Sequence, residues 1–289
     1  MAKKAAVRSQ KDQSSLRTRA IKNRQYIWLG LIAFFSVFPF YWMFVISSNN
    51  SAAINERPPA VIPGENFLTS VAQVNEIINF AVPLVNSLLV ASVVAASQVF
   101  FSTLAGFAFA KLRFPGRNGL FVFVLATMMV PTGLGIIPFY LMMSNLGLIN
   151  TLGSVILPGL TTAFGVFWMR QTIEGGVPDE LIEAARIDGA SNFRIYRSIV
   201  MPSIAPTAGV LGLFGFLAAW NDFMWPLLSL NSPENFTVQV AVRQLRSAYF
   251  VDYSIQMTGA FLATVPLLIL FALVARRMVA GVMAGAIKG

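Results

Sequence analysis

The chain reads PDELIEAARIDGASNFRIYRSIVMP over residues 178–202, a polar stretch between two long apolar runs. Pro178 suits the first position of a helix, and the two acidic residues after it place negative charge at the positive end of the helix dipole. Gly189 can end that helix, because glycine adopts the left-handed conformation without a Cβ penalty. Ser191 is a residue type that caps a second helix. The stretch therefore predicts two short helices with a bend at Gly189.

Both predicted helices carry apolar residues at helical spacing, which predicts an apolar side on each. These residues are Leu181, Ile182, Ala184, Ala185 and Ile187 on the first helix, and Phe193, Tyr196 and Val200 on the second. The small side chains of Ala184 and Ala185 would let a partner approach closely. The helical pattern alone fits both a docking segment and an ordinary connection between membrane helices.

The composition places the chain in a membrane. Of its 289 residues, 56% are hydrophobic and 11% are charged, and the mean hydropathy is +0.68. Six stretches are long enough to cross the hydrocarbon core, at 26–46, 84–110, 119–143, 153–169, 206–230 and 257–275. Asp222, in the fifth, is the one charged residue in these stretches. We therefore expect an all-α membrane protein with six transmembrane helices.

The basic residues are distributed unevenly across the predicted membrane. Short loops rich in Lys and Arg stay in the cytoplasm, and an even number of spans puts both termini on one side. That side carries 18 of the 21 Lys and Arg residues, whereas Arg57, Arg243 and Arg246 lie on the other. The termini and the loop 171–205 are therefore predicted to be cytoplasmic.

Residues 1–25 form a basic arm that we expect to be polar and mobile and to act as a topology signal. The net charge of +9 does not indicate a nucleic-acid partner, because the arm lacks interleaved aromatic residues and the other basic residues gather at membrane margins. Membrane lipid is the expected contact. The apolar run 26–46 is longer than a signal-peptide core of about 7–15 residues, so we expect an uncleaved anchor.

The residues that the chain lacks exclude several kinds of chemistry. It has no His and no Cys, which removes the usual metal-ligand sets, thiol nucleophiles, imidazole bases and disulfides. No Lys is followed by Ser or Thr, so a phosphate-binding loop ending in Gly-Lys-Ser/Thr is excluded. We predict no catalytic residue, no metal site and no cofactor. Uphill transport by this chain would draw its energy from another subunit.

The spacing within the polar stretch resembles the EAA loop of ATP-binding-cassette (ABC) importer permeases. It runs Glu-Ala-Ala, three residues, Gly, nine residues, Ile, one residue, an apolar residue and Pro. Met201 stands where the family usually has Leu, a replacement of similar volume. The resemblance implies that the ATPase subunits are contacted through Glu183, Ala184, Ala185, Gly189, Ile199 and Pro202.

Three further stretches are similar to the carbohydrate-uptake branch of these permeases, and specifically to the smaller permease of maltose-type transporters. They are AGFAFAKLRFPGR at 105–117, WNDF at 220–223 and GVMAGAIKG at 281–289. The implied fold is the type I ABC importer permease (MetI-like) fold. Its six-helix domain would occupy 26–277, with a core at 84–277 and a cytoplasmic tail at 278–289.

The resemblance also implies the partners and the role of the chain. The partners are a second, non-identical permease, a homodimer of ATPase subunits and an extracytoplasmic solute-binding protein, and the substrate is a mono- or oligosaccharide. The assembly would lie in the bacterial plasma membrane. This chain would form half of the translocation path and couple ATPase closure to alternating access.

Three other groups of residues are candidate sites. Asn221 and Asp222 are candidates for the substrate path or its gate, since an ionisable group within a membrane is costly; a structural hydrogen bond or a hydrated position at the membrane interface is the alternative. Contact with the solute-binding protein is assigned to Arg243, Gln244, Arg246 and Tyr249 in the loop 231–256. By resemblance, contact with the ATPase is assigned to Gly285, Lys288 and Gly289, against the alternative of a frayed terminus.

Glycines and prolines within the spans predict how the helices pack. Three glycines at threefold spacing favour close packing of the fifth helix, namely Gly209, Gly212 and Gly215. Kinks are expected at Pro131, Pro138 and Pro266.

Other functions remain open at this level: a permease for a non-sugar solute, a self-sufficient secondary carrier or channel, or a membrane enzyme. A carrier needs intramembrane coupling groups or an inverted repeat, and one Asp without His supplies little for that purpose. The chain shows no paired-carboxylate or nucleophile arrangement that would indicate an enzyme. An ATPase and a second permease that purify with the chain would distinguish the importer from both.

Overall fold

The computed structural model describes the backbone of residues 2–51, 59–246 and 252–286, and the side chains of residues 25–51, 59–246 (without Thr132) and 252–274. Throughout these ranges the regular secondary structure is helical. The chain divides into two compact units, Met1–Val71 with Asp252–Phe261, and Ala72–Val251 with Leu262–Gly289. The second unit contains the whole loop 171–205.

The α-helices of the described ranges are α1 (Ala2–Ser48), α2 (Phe67–Ile78), α3 (Ala81–Lys111), α4 (Arg117–Thr127), α5 (Ile136–Asn145), α6 (Leu152–Ile156), α7 (Ala163–Gly176), α8 (Asp179–Ile187), α9 (Asn192–Ile195), α10 (Met201–Asn221), α11 (Met224–Ser229), α12 (Val238–Arg243) and α13 (Tyr253–Ala286). Short 3₁₀ turns lie at Thr132–Gly135, Leu157–Gly159 and Pro233–Asn235. A π-helical turn, Tyr196–Val200, joins α9 to α10, so the helix is continuous from Asn192 to Asn221.

Four helical segments are long and apolar enough to cross a membrane: Gln25–Ser48, Ala81–Lys111, Asn192–Asn221 and Tyr253–Val274. They correspond to the first, second, fifth and sixth predicted spans. The fourth predicted span is a helix pair, Leu152–Gly159 and Ala163–Gly176, bent by 41° at its break. The prediction of an all-α membrane protein is confirmed.

The third predicted span, 119–143, is not one helix. It consists of α4, the 3₁₀ turn Thr132–Gly135 and α5. Pro131 precedes the 3₁₀ turn with an extended ψ of 127°. Proline donates no N–H to a helix and disfavours the helical conformation in the residue before it. Pro138, by contrast, lies in the first turn of α5, where no helical hydrogen bond is lost. The predicted kink at Pro131 is therefore a break.

The fifth predicted span, 206–230, is wrong at both ends. Its helix begins at Asn192, within the polar stretch, and ends at Asn221. Asp222 terminates it with an extended backbone (ψ 124°), so this carboxylate lies at the end of the helix and not inside it. The second short helix predicted after Gly189 is therefore the start of a membrane-spanning helix.

Both ends of the chain are more helical than predicted. Residues 1–25, which their composition predicts to be mobile, begin α1 at Ala2, because Ala, Lys, Gln and Arg are strong helix formers. Likewise α13 continues to Ala286, so the predicted tail 278–289 is helical for most of its length. The apolar, alanine-containing sequence of this segment outweighs the helix-weakening effect of its two glycines.

The core of the second unit lies where α3 packs between α7 and α10. Its buried apolar side chains are Phe107, Met169, Ile173, Val177, Ile182, Ile195, Tyr196, Val200, Ile204, Ala208 and Leu211. Gly106 allows α3 to approach α7 closely, since a Cβ at this position would lie 2.8 Å from the backbone nitrogen of Arg170. This cluster continues from the membrane-spanning helices into α8.

The predicted packing role of the three glycines of α10 holds for two of them. A Cβ added to Gly215 would lie 2.6 Å from Oε1 of Gln98, and one added to Gly212 would lie 3.0 Å from Val99, whereas Gly209 faces open space. The buried amide of Gln98 also donates to the Gly159 carbonyl at 3.0 Å. This hydrogen bond satisfies a carbonyl at the break of the bent helix pair and ties it to α3.

Candidate functional site

The candidate site is the coupling segment, defined here as residues 178–202. Val177, fully buried, closes α7, and Pro178 then turns the chain with an extended ψ of 141° into α8. Two acidic residues occupy the first turn of α8 and Arg186 the last, as the helix dipole favours. The predicted start of the first helix is thus confirmed.

Gly189 ends α8 in the left-handed conformation, with a φ of +78°. Its N–H donates to the Arg186 carbonyl at 3.0 Å, and the N–H of Ala190 donates to the Ala185 carbonyl at 2.9 Å. These two hydrogen bonds form a Schellman motif, which satisfies carbonyls that a helix end leaves free. No atom lies within 4 Å of a Cβ added to Gly189, so the backbone angle and not lack of space requires glycine.

Ser191 starts the second half of the segment. Its Oγ accepts a hydrogen bond from the Arg194 amide at 3.3 Å, as predicted for a cap. Beyond it, Tyr196 is buried, and its hydroxyl lies 2.7 Å from Oγ1 of Thr103 in α3. This contact fixes the second half of the segment to a membrane-spanning helix.

The first half of the segment is attached to the same helix by polar contacts. Nζ of Lys111, the last residue of α3, lies 2.6 Å from Oδ1 of Asp179, and Nη2 of Arg186 donates to the Lys111 carbonyl at 3.4 Å. The hydrogen bond and the charge of Lys111 hold the pKa of Asp179 below its ordinary value. Asp179 and Arg186 are seven residues apart and therefore share one face of α8.

Two large apolar side chains of α8 are exposed elsewhere on the helix. Leu181 and Ile187 expose 50% and 87% of their surface, and Phe193 of α9 exposes 58%. The apolar residues predicted on α8 therefore divide between two environments: Leu181 and Ile187 are exposed, whereas Ile182 is buried and Ala185 packs partly against the core. Glu183, also exposed, makes no hydrogen bond or ion pair with the described residues.

The six residues of the EAA pattern have different environments. Glu183 and Ala184 are exposed on α8, whereas Ile199 packs partly against the core cluster. Pro202 is exposed in the first turn of α10. Only part of the pattern therefore lies on an accessible surface, and the remainder shapes and holds the segment.

Asn221 and Asp222 make contacts that shape the end of α10. Nδ2 of Asn221 donates to the Leu217 carbonyl at 2.8 Å, and Oδ1 of Asp222 accepts from the Trp225 amide at 3.4 Å. The indole of Trp225 in turn donates to the Ser154 carbonyl at 2.8 Å. These hydrogen bonds fit the structural role that was considered as an alternative for Asn221 and Asp222. A role of the two residues in the substrate path stays a prediction.

The segment before α12 is held by two asparagines. Oδ1 of Asn150 accepts from the amides of Asn231 and Ser232 at 2.8 and 2.9 Å. Nδ2 of Asn86, in α3, donates to the carbonyl of Phe236 at 3.0 Å. This part of the predicted extracytoplasmic loop is therefore a fixed extension of the core.

The predicted contact residues that follow are accessible where the structure describes them. Arg243, Gln244 and Arg246 are exposed, whereas Tyr249 lies outside the described residues. Gly285 belongs to the backbone of α13, and Lys288 and Gly289 lie outside the described residues. Among the described side chains, no group of three or more His, Cys, Asp or Glu residues could hold a metal ion.

Sequence reasoning missed the attachment of α8 to α3. Lys111 belongs to the stretch 105–117, but its partner Asp179 lies 68 residues further along the chain. The pair Thr103 and Tyr196 is separated by 93 residues. The one local signal was that acidic Asp179 and basic Arg186 lie on the same face of α8.

Comparisons with known proteins agree with this geometry. The model of the family described as binding-protein-dependent transport system inner membrane component matches residues 98–283. The lactose transport system permease protein LacG of Rhizobium radiobacter is 34% identical over 279 residues, which cover 95% of this chain and 99% of the relative.

Two further relatives show the same breadth of similarity. The arabinooligosaccharides transport system permease protein AraQ of Halalkalibacterium halodurans is 31% identical over 91% of this chain and 95% of its own length. The sn-glycerol-3-phosphate transport system permease protein UgpE of Agrobacterium fabrum is 33% identical over 88% and 92%.

The fold is also that of a solved transporter. A chain of a bacterial ABC transporter involved in the import of the acidic polysaccharide alginate superposes with a TM-score of 0.75, at 23% identity, over 89% of this chain and 96% of the other. The matched family region includes the second half of α3, the coupling segment and α10. This chain belongs to the family of inner-membrane components of binding-protein-dependent transport systems.

Proposed function

We propose that the chain is a permease subunit of an ATP-driven sugar importer, and that the coupling segment receives the motion of the ATPase subunits. The observation that carries this proposal is the surface of α8 and α9, where Leu181, Ile187 and Phe193 are exposed outside the core. Large apolar side chains exposed on a polar segment that is too short to cross a membrane suit contact with a protein partner. The adjacent free carboxylate of Glu183 would add a polar contact at the edge of that surface.

Motion of the docked ATPase would reach the membrane through two attachments. Displacement of α8 acts on α3 through the ion pair between Asp179 and Lys111. Displacement of the second half acts on α3 through Tyr196 and Thr103, and on α10 directly, because the helix is continuous from Asn192 to Asn221. The segment and these two helices would thus move together and switch the access of the path.

The proposal also assigns the other subunits of the transporter to parts of this chain. A second, non-identical permease would supply the other half of the path, which Asn221 and Asp222 line or gate. Arg243, Gln244, Arg246 and Tyr249 would contact the solute-binding protein, and the end of α13, with Gly285, Lys288 and Gly289, would give the ATPase homodimer a second contact. Both termini and the coupling segment would face the cytoplasm, where 18 of the 21 basic residues would then lie.

A mono- or oligosaccharide is the proposed substrate, since relatives named for lactose and arabinooligosaccharide transport match over more than nine tenths of the chain. The relative named for sn-glycerol-3-phosphate transport favours a second candidate, a small phosphate ester. A binding screen of the cognate solute-binding protein against both classes would distinguish the two. Tight binding of the phosphate ester without any sugar would overturn the sugar assignment.

The coupling role is tested by Glu183→Lys in the reconstituted transporter. The reversed charge should reduce co-purification of the ATPase and abolish uptake into vesicles, while the solute-binding protein still docks on the outer face. Arg197→Gln, which changes an exposed residue of the same segment outside the EAA pattern, is the control. Uptake that persists without any ATPase subunit would instead support a self-sufficient carrier.

A further inference from the structure

A basic concave surface lies between the end of α3 and the start of α4. Its first part, a cavity of about 370 Å³, is lined by Arg113, Phe114, Gly116, Arg117, Asn118 and Gly119. A second cavity of about 360 Å³ is lined by Leu112, Arg113, Phe114, Arg186 and Asn192. Arg113 and Phe114 line both, so the two cavities adjoin. We call the first the turn cavity; neither lining set contains an acidic residue.

The positive charge at the turn cavity is not neutralised by a neighbour. Arg113 is exposed and makes no hydrogen bond or ion pair with the described part of the chain. The nearby carboxylate of Asp179 is already bound by Lys111, and Arg113 affects it only through its charge. Arg117 donates from Nη1 to the Leu112 carbonyl at 3.1 Å, which leaves its other N–H groups free to bind a ligand.

Backbone donors add to the two guanidinium groups. Asn118 and Gly119 line the turn cavity and lie in the first turn of α4, where amides have no acceptor within the helix. The positive end of the helix dipole lies at the same place. Two arginines and first-turn amides are donors that suit the oxygens of a phosphate group.

An apolar surface begins immediately beyond the cavity. Leu120 and Phe123 expose 53% and 67% of their surface, and they follow Gly116 and Gly119 by four residues each. Residues four apart lie on the same face of a helix, so Phe123 continues the face of α4 on which Gly119 lines the cavity, and Leu120, three residues before Phe123, lies beside it. Acyl chains cover such a surface in a membrane, so a phosphate bound in the turn cavity would lie directly beside lipid chains.

We propose that the turn cavity binds the phosphate of one anionic phospholipid, whose acyl chains lie along Leu120 and Phe123. The site is assigned to the cytoplasmic leaflet by the orientation in the proposed function, but the binding itself does not depend on substrate or coupling. The adjoining cavity ends at Arg186, which contacts the Lys111 carbonyl. The lipid therefore borders the attachment of the coupling segment to α3.

The test is native mass spectrometry of the purified transporter with phosphatidylglycerol or phosphatidylcholine of identical acyl chains. The wild type should retain one phosphatidylglycerol at about tenfold lower lipid concentration than phosphatidylcholine, because both lipids carry the phosphate but only phosphatidylcholine brings a quaternary ammonium close to Arg113 and Arg117. Arg113→Gln should remove this preference without unfolding the turn, because Arg113 makes no hydrogen bond there. Arg197→Gln, which changes an exposed arginine that lines neither cavity, should retain it.

Two further measurements identify the source of the phosphate. Leu120→Ser with Phe123→Ser should weaken retention of phosphatidylglycerol by about tenfold, and millimolar inorganic phosphate should not displace the lipid. Displacement by inorganic phosphate, with retention unaffected by the serine pair, would assign the cavity to a soluble anion and overturn the lipid proposal. Unchanged lipid preference in Arg113→Gln would overturn it as well. Because lipid retention is measured without transport, either result is independent of the coupling role.

Discussion

Replacement of Gly189 tests whether the bend of the coupling segment depends on backbone conformation. Its φ of +78° is left-handed, and no atom lies within 4 Å of an added Cβ. Gly189→Ala should therefore cost about 1–2 kcal/mol of backbone strain and nothing from steric overlap. That cost lowers the ratio of bent to unbent segment roughly 5- to 30-fold. Gly189→Leu should cost about the same within this subunit, and Gly189→Asn less, because Asn tolerates the left-handed region.

The matched control is Gly175→Ala in α7. Gly175 also faces open space but does not have a positive φ, so alanine should be neutral or stabilise its helix by up to about 1 kcal/mol. The assay is titration of ATPase subunits onto the purified permease, together with uptake into vesicles. Apparent ATPase affinity should fall in the order Gly175→Ala, Gly189→Asn, Gly189→Ala. Equal affinities for the two alanine variants would refute the strain argument.

In a double-mutant cycle, Lys111→Met and Asp179→Asn together should weaken ATPase attachment by less than the sum of the single changes; strict additivity would contradict the pairing. Because Lys111 lowers the pKa of Asp179, the pair contributes fully above the ordinary carboxylate pKa of about 4 and loses that contribution as the pH falls through the lowered value. Attachment measured from about pH 8 to 5 should therefore stay constant, and a loss that Asp179→Asn abolishes within that range would argue against this contact. Asn221→Ala and Asp222→Ala should lower sugar uptake without releasing the ATPase, whereas wild-type uptake in both would remove them from the path. Deletion of 281–289 should weaken ATPase attachment or uncouple hydrolysis from uptake with membrane insertion intact; full-rate transport would show the tail to be dispensable.

The features predicted correctly from the sequence are those that local rules determine. Gly189 and Ser191 act as predicted, and the helix begins at Asp179, directly after Pro178, because a helix start, a left-handed end and a cap each depend on a few adjacent residues. The membrane-spanning character of α3 and α13 follows from hydropathy summed over about 20 residues. Both kinds of signal are contained in one continuous stretch.

The errors arise where hydropathy does not report backbone geometry. The apolar run 119–143 is broken next to Pro131, which donates no N–H to a helix but lowers the hydropathy very little, whereas Pro266 lies within the continuous helix α13. The helix within the run 206–230 ends early, at Asn221, where the side chains of Asn221 and Asp222 hydrogen-bond to nearby backbone groups. The contacts of Lys111 with Asp179 join distant parts of the chain, which no local pattern specifies.

The exposure of Leu181 and Ile187 favours the proposed docking segment over an ordinary connection between membrane helices. Exposed apolar residues on a membrane-spanning helix are covered by lipid, but α8 has nine residues, four of them charged, and cannot cross a membrane. In an ordinary connection, these two side chains would pack inward as Ile182 does; instead they are exposed. Burial of their exposed surface against a partner would contribute about 2–4 kcal/mol before the cost of association. The bend at Gly189 and the two attachments to α3 hold this surface in one orientation, as a segment that transmits motion requires.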